Sequence, residues 1–212
     1  MRPYILFDFD GTIADSLTLG LELINRLAPI YHIHPITDED IQAVRSMPTG
    51  KAIRYLKIPY YKLPILIPVF LNEYKHIIHN MKPFPRIHEV IQDLKDLGIP
   101  MALLTSNSKE NVHVFLDQHD MNYFEWIEGG SGIFKKQVTI MHQIKKHNLQ
   151  KENIIYVGDE TRDIVAAKKC GIKIISVAWG FQDKSILSQY NPDMIAETPQ
   201  DLYDIIKSYS TT

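Results

Sequence analysis

The most constraining feature of this chain is a short apolar run that starts at Pro3 and ends abruptly in Asp8-Phe9-Asp10-Gly11-Thr12. Such a run reads as a strand, and the acidic turn with its glycine hinge puts two carboxylates at the strand's carboxyl end. Three later segments follow the same logic: Pro100 to Thr105, Asn153 to Gly158 and Ile172 to Ala178 are rich in Ile, Val, Leu or Ala, and each follows a helical pattern. The spacing predicts helices over about Arg86 to Leu97, closed by Gly98; Lys109 to Gln118; Gln137 to His147; and Thr161 to Cys170, closed by Gly171. Strands alternating with helices of this length predict an α/β fold, a doubly wound parallel sheet covered on both faces.

Residues 15–82 do not join the alternation. Leu19, Leu23, Ile24 and Leu27 stand at helical spacing, so this stretch reads as an inserted all-helical subdomain. Pro83 and Pro85 mark the return, which divides the chain into a body of residues 1–14 and 83–212 and a helical cap of residues 15–82. With 212 residues, 45% hydrophobic and 23% charged, one globular domain with a modest insertion is expected. The net charge of −2 provides no field for gripping a polynucleotide. The longest uncharged apolar run, between Lys62 and Glu73, is broken by Pro64 and Pro68 and falls short of a membrane span. Asp8 and Asp10 interrupt the first apolar stretch before it could act as a secretory signal, so a cytoplasmic location is expected. Cys170 is the single cysteine, which excludes an intrachain disulfide and a thiolate metal cage; beside Gly171 it reads as a buried structural thiol.

Three distant clusters fall where parallel strands end: Asp8 with Asp10, Thr105-Ser106-Asn107, and Gly158-Asp159-Glu160-Thr161-Arg162-Asp163. In a doubly wound sheet such ends converge on one crevice. Packed carboxylates repel and coexist only when protonated, hydrogen-bonded or metal-bound. A hard, oxygen-seeking cation resolves the repulsion, and Mg²⁺ suits two or three carboxylates that leave room for water and a phosphate oxygen. A carboxylate attacking a phosphate dianion meets repulsion of roughly 4 kcal/mol per unit-charge pair at about 4 Å and an effective dielectric constant of about 20. A divalent ion and a lysine would cancel it, and Lys135 and Lys136 stand ahead of the helix preceding the third cluster. Thr105 or Ser106, at the head of the next helix, offers a hydroxyl and backbone N–H groups to phosphate oxygens.

Asp8-Phe9-Asp10-Gly11-Thr12-Ile13, Leu104-Thr105-Ser106-Asn107, a lysine ahead of a helix, and Gly158-Asp159 with Asp163 resemble the four ordered motifs of the haloacid dehalogenase superfamily. The helical insert is similar to that superfamily's small cap. Gly158 to Ala167 and Val177-Ala178-Trp179-Gly180-Phe181 resemble its phosphoglycolate phosphatase-like members. The resemblance implies a Rossmann-like body and a Mg²⁺-dependent phosphomonoester hydrolase acting on a small phosphorylated metabolite, phosphoglycolate among the candidates. It implies Asp8 as nucleophile, forming an aspartyl-phosphate. Asp10 would protonate the leaving oxygen and then activate water, with its backbone carbonyl on the metal. Thr105 would bind the transferring phosphoryl group, assisted by the Ser106 and Asn107 main chain. Lys136 would neutralise phosphate and Asp8. Asp8, Asp10 and Asp159 would hold Mg²⁺, while Asp163 would orient the lysine or a metal-bound water. The third motif departs from the common Lys-Pro, reading Phe134-Lys135-Lys136-Gln137, which leaves Lys135 as the alternative to Lys136. Glu160 is an added acid, either supporting the site from behind or pointing to solvent.

In the insert, Arg45, Lys51 and Arg54 flank Ser46-Met47-Pro48-Thr49-Gly50, a break between helices. The expectation is that this loop reaches over the crevice and that Arg45 or Lys51 contacts the leaving group. His32 with His34 and His76 with His79 lack the cysteine or carboxylate pattern of a zinc site. Gly129-Gly130-Ser131-Gly132 and Gly50-Lys51-Ala52 lack the context of nucleotide-binding loops and read as plain loops. Two rival readings stand beside the phosphatase: a phosphomutase of the β-phosphoglucomutase type, which resembles the chain in every motif named, and a binding protein that keeps the fold without turnover. A monomer or homodimer is expected, with no nucleic acid or membrane partner.

Overall fold

The structure is a computed structural model that describes residues 2–130 and 136–210. Lys135 and the Ser131-Gly132 end of the glycine-rich stretch lie outside the described residues. Among the described residues six strands, β1 (Tyr4–Phe7), β2 (Met101–Leu104), β3 (Ile127–Glu128), β4 (Ile154–Gly158), β5 (Lys173–Val177) and β6 (Met194–Ala196), form one sheet in the order β3-β2-β1-β4-β5-β6. All pairings are parallel. The central strands are buried on both faces, which is why they read as continuous apolar runs and not as alternation. Ile5 and Phe7 point into one core layer and Leu6 into the other, the period-two consequence of the pleat.

Between the strands run α5 (Ile87–Asp96), α6 (Lys109–Gln118), α7 (Lys136–Lys146), α8 (Thr161–Cys170) and α9 (Lys184–Gln189), and α10 (Pro199–Ser210) follows β6. Cys170 is buried, its Sγ 3.5 Å from the Gln137 carbonyl, as expected of a structural thiol. Two expectations need correction. The cap of α6 is Ser108, whose Oγ accepts from Asn111 N at 3.2 Å, so Thr105 and Ser106 precede the helix and do not head it. Lys136 is the first described residue of α7, so it belongs to the helix and does not stand ahead of it. Strands β3 and β6 were not expected; two and three residues are too few to show a period.

The inserted segment is helical throughout its regular parts: α1 (Leu17–Tyr31), α2 (Asp38–Arg45), α3 (Thr49–Tyr55) and α4 (Leu63–Tyr74), with short 3₁₀ turns at Tyr60–Lys62 and Ile78–Asn80. The chain leaves and re-enters the body side by side, with Asp15 N donating to Lys82 O at 2.9 Å, Phe84 N donating to Ile13 O at 2.9 Å, and a bridge between Ala14 and Pro83. Neither α2 nor α3 contains a buried residue, so this outer part of the cap is held by its ends and not by a core of its own.

Candidate active site

Register decides what meets at the sheet's edge. Phe7 pairs with Leu103 on one side and with Val157 on the other. Asp8, Thr105 and Asp159 therefore leave the carboxyl ends of three adjacent strands within one residue of the same level, at the point where strand order turns from β1 toward β2 or β4. All three are buried, with exposures of 2%, 0% and 0%.

Lys136 ties Asp8 to Asp163. Its Nζ lies 2.5 Å from Asp8 Oδ2 and 2.5 Å from Asp163 Oδ1, and all three side chains are almost fully enclosed. Burial presses the ammonium toward neutrality, but Asp163 and Asp8 overcome it and hold Lys136 well above its ordinary value. For Asp8 the balance goes the other way: burial, followed by the neighbouring Asp163, pushes the carboxyl up to about 6 against the pull of Lys136. Phe9 N donates to Asp8 Oδ1 at 2.8 Å, which fixes the plane of that carboxylate.

Asp159 accepts from Thr12 Oγ1 at 3.1 Å and from Phe181 N at 2.8 Å. Burial, then Glu160, Asp163 and Asp8, raise it well above the usual carboxylate range. Asp8, Asp159 and Asp163 each offer an oxygen within 4.8 Å of the others, the one group of this kind among the described residues. Three buried, mutually repelling, oxygen-only donors fit a hard divalent cation and would suit a softer metal poorly. Gly11 makes the packing possible: it sits at φ +77°, and a Cβ there would fall 2.2 Å from Asp159 Oδ2.

The carboxylate of Asp10 is engaged elsewhere. The Tyr74 hydroxyl donates to its Oδ1, and Asn107 Nδ2 donates to its Oδ2 at 3.0 Å. Burial raises Asp10, with Tyr74 and Asn107 opposing the rise. Asn107 N donates to Thr105 Oγ1 at 3.0 Å, tying the second cluster into a tight turn, and Ser106 is partly exposed beside it.

Glu160 does not point to solvent. It is 7% exposed, pairs through Oε1 with Arg162 at 2.5 Å, and accepts from Thr49 Oγ1 at 2.7 Å through Oε2. Around it the loop between α2 and α3 is stitched to the body: Gln182 Nε2 donates to Met47 O at 2.7 Å, Asp183 N donates to Arg45 O at 3.1 Å, and Ser46 Oγ donates to Asp183. The break Ser46–Gly50 thus reaches the rim of the crevice. Arg45 takes part through its backbone, and Lys51 is exposed on α3. Asp163 pairs with Lys136, and its Oδ2 accepts from Glu160 N at 3.0 Å. His32, His34, His76 and His79 are exposed. The sequence alone assigns no role to Tyr74, Thr12, Thr49 or Gln182. A signal existed for Thr12 in the acidic turn itself; none marked Tyr74 among 11 tyrosines.

A parallel α/β sheet in this strand order, with acids and a lysine converging on its carboxyl edge under a helical cap, is the architecture of a hydrolase class. The family model described as haloacid dehalogenase-like hydrolase matches residues 5–177, and the chain belongs to that family and is an enzyme of it. It is 29% identical over 203 residues, covering 95% of this chain and 96% of its relative, to a protein of Synechococcus elongatus named phosphoglycolate phosphatase. Among solved structures it is similar to a predicted phosphatase from Clostridium acetobutylicum, at TM-score 0.83 and 22% identity over 98% of this chain and 99% of the other. It is also similar to a haloacid dehalogenase-like hydrolase from Streptococcus pneumoniae, at TM-score 0.80 and 22% identity over 96% and 98%. No helix among the described residues is long and apolar enough to cross a membrane.

Proposed function

We propose that the protein is a Mg²⁺-dependent phosphomonoester hydrolase that acts on a small phosphorylated metabolite through an aspartyl-phosphate. The observation that carries this reading is the buried Asp8–Lys136–Asp163 relay, with 2.5 Å on each side of the ammonium, at the edge where Thr105 and Asp159 also emerge. A carboxylate is a weak nucleophile toward a dianion unless the charge around it is balanced. Lys136 balances it on one side. Asp8 and Asp159, with the main-chain carbonyl of Asp10, are assigned to the metal, which when bound supplies charge neutralisation and a template for the phosphoryl oxygens.

The residues then divide the work. An Asp8 oxygen attacks phosphorus and the ester P–O bond breaks; the departing oxygen takes a proton from the Asp10 carboxyl, giving an alcohol and an Asp10 carboxylate. In the second step water gives its proton to Asp10 as its oxygen attacks the same phosphorus, which restores Asp8 and releases inorganic phosphate. Thr105 Oγ1 and the Ser106 and Asn107 backbone hold phosphoryl oxygens in both steps. Asp163 keeps Lys136 charged and aimed. The stitched loop of the cap excludes bulk water.

The Synechococcus relative's name makes 2-phosphoglycolate the first substrate to test. The test is phosphate release from a panel of phosphorylated metabolites with Mg²⁺ present and after chelation. Mg²⁺-dependent release that disappears in Asp8→Asn is the expected result. Isomerisation of a hexose phosphate without free phosphate would point to a mutase instead, and no turnover of any member would point to a binding role.

A further inference from the structure

The acid/base assigned above carries its carboxylate on a single methylene, so the end torsion that aims its oxygens is broad unless something holds it. Among the described residues Asn107 and Tyr74 donate to it, one from the body and one from the insert. Asn107 Nδ2, from the body, reaches Oδ2 at 3.0 Å. The Tyr74 hydroxyl, from the last residue of α4 in the insert, reaches Oδ1 across 64 positions of sequence.

Tyr74 is built to stay where it is. It is 2% exposed, its ring packs against Phe70 at a centroid distance of 5.5 Å, and its hydroxyl lies 3.1 Å from Met81 Sδ, a side chain 1% exposed. A hydroxyl buried this deeply requires a strong acceptor, and the carboxylate of Asp10 is that acceptor. With Oδ1 pinned by Tyr74, Oδ2 is turned toward Asn107 and hence toward the Thr105 turn, the side where the proposed reaction places the ester.

We infer that Tyr74 is a positioning residue for Asp10: its hydroxyl aims the carboxyl so that the proton passes to the leaving oxygen as the P–O bond breaks. This inference rests on the phosphomonoesterase reading. It also ties proton transfer to the docking of the insert, because Tyr74 belongs to that segment.

Tyr74→Phe keeps the ring and removes the donor. The readout is the ratio of kcat/KM on an alkyl phosphomonoester, 2-phosphoglycolate or the best member of the panel, to kcat/KM on p-nitrophenyl phosphate. An alkoxide must be protonated as it leaves, whereas p-nitrophenolate is a weak base that departs without a proton, so only the first substrate reports acid positioning. Both values are taken on one preparation, so any loss of folded enzyme cancels in the ratio. The expected result is a ratio lowered roughly ten-fold or more in Tyr74→Phe, part of the range that general acid catalysis contributes. A ratio unchanged from the parent, whether both rates fall together or neither does, would overturn the inference. Tyr74→Leu reads the same ratio should the phenylalanine variant fail to fold. The two levels separate cleanly: if the parent protein hydrolyses the alkyl ester and Asp8→Asn does not, an unchanged ratio removes Tyr74 alone. If the parent releases phosphate from neither substrate, the reading and the inference fall together.

Discussion

Thr49 Oγ1 donates to Glu160 Oε2 at 2.7 Å, joining residues 111 positions apart across the boundary between insert and body. Glu160 also holds Arg162, so one buried carboxylate connects the cap loop to the first turn of α8, next to Asp159. Since α2 and α3 have no buried residues, such polar ties at their ends contribute a large part of what keeps them docked.

Thr49→Val preserves shape and removes the donor. The Glu160 oxygen then lacks its partner while the cap is docked, and water supplies it only when the cap lifts. An unsatisfied buried acceptor of this kind costs about 1–3 kcal/mol. The expected outcome is faster hydrogen exchange in α2 and α3, by roughly ten-fold for a change of about 1.4 kcal/mol, with exchange in β1 and β4 unchanged. Uniform acceleration across the protein would mean that the tie stabilises the whole fold and not cap docking.

Asp8 gives a pH-dependent prediction. Its folded value, about 6, lies above the ordinary 3.8, because burial outweighs Lys136. A raised acid contributes stability that is fully present below the unfolded value and is lost as pH rises through the folded one. In metal-free protein the ionised Asp8 therefore destabilises the fold once pH rises through about 6. Asp8→Asn should be more stable than the parent at pH 7 in chelator, and the advantage should vanish toward pH 4. Denaturant titrations of both proteins across that range check the sign. A less stable Asp8→Asn at neutral pH would mean that the ion pair with Lys136 outweighs desolvation.

The same acids predict a response to metal. Ligand at about 100 times its dissociation constant stabilises a fold by about 2.7 kcal/mol. For a chain of this size that corresponds to a rise in Tm of roughly 5–10 °C. Mg²⁺ should produce such a rise in the parent and little or none in Asp159→Asn, measured by thermal melts at fixed ionic strength.

Much of this arrangement could be read from residue order alone, for a physical reason. Strands buried on both faces of a parallel sheet must be apolar throughout, so polar residues clustered at their ends stand out: Asp8, Thr105 and Asp159 each follow such a run. Closely spaced carboxylates also carry their own requirement for a counter-charge, and Lys136 meets it. What sequence could not reveal depends on docking. Glu160 stands next to Asp159, and only the position of the cap loop turns it inward to Thr49. Tyr74 ends α4, a helix apolar over most of its length, so its pattern does not say which side is buried or against what. Strands β3 and β6 are held by their neighbours' ladders, since two or three residues have no periodicity to show.

Gly11 tests whether the acidic cluster depends on backbone room. At φ +77° any L side chain is strained, and an added Cβ would meet Asp159 Oδ2 at 2.2 Å and Cγ at 2.7 Å. Gly171, at φ +70°, has nothing within 4 Å of the same added atom. Alanine at either position carries the left-handed penalty, about 1–2 kcal/mol. Only at position 11 must it also push Asp159 off the Phe181 N–H and the Thr12 hydroxyl. Gly171→Ala should thus lose stability with kcat/KM retained. Gly11→Ala should lose a similar amount of strain energy and in addition about two orders of magnitude in kcat/KM, the scale of a misplacement near 1 Å at a reacting centre. Equal activity in the two variants would show that Asp159 can shift without consequence, and would remove it from the proposed metal site.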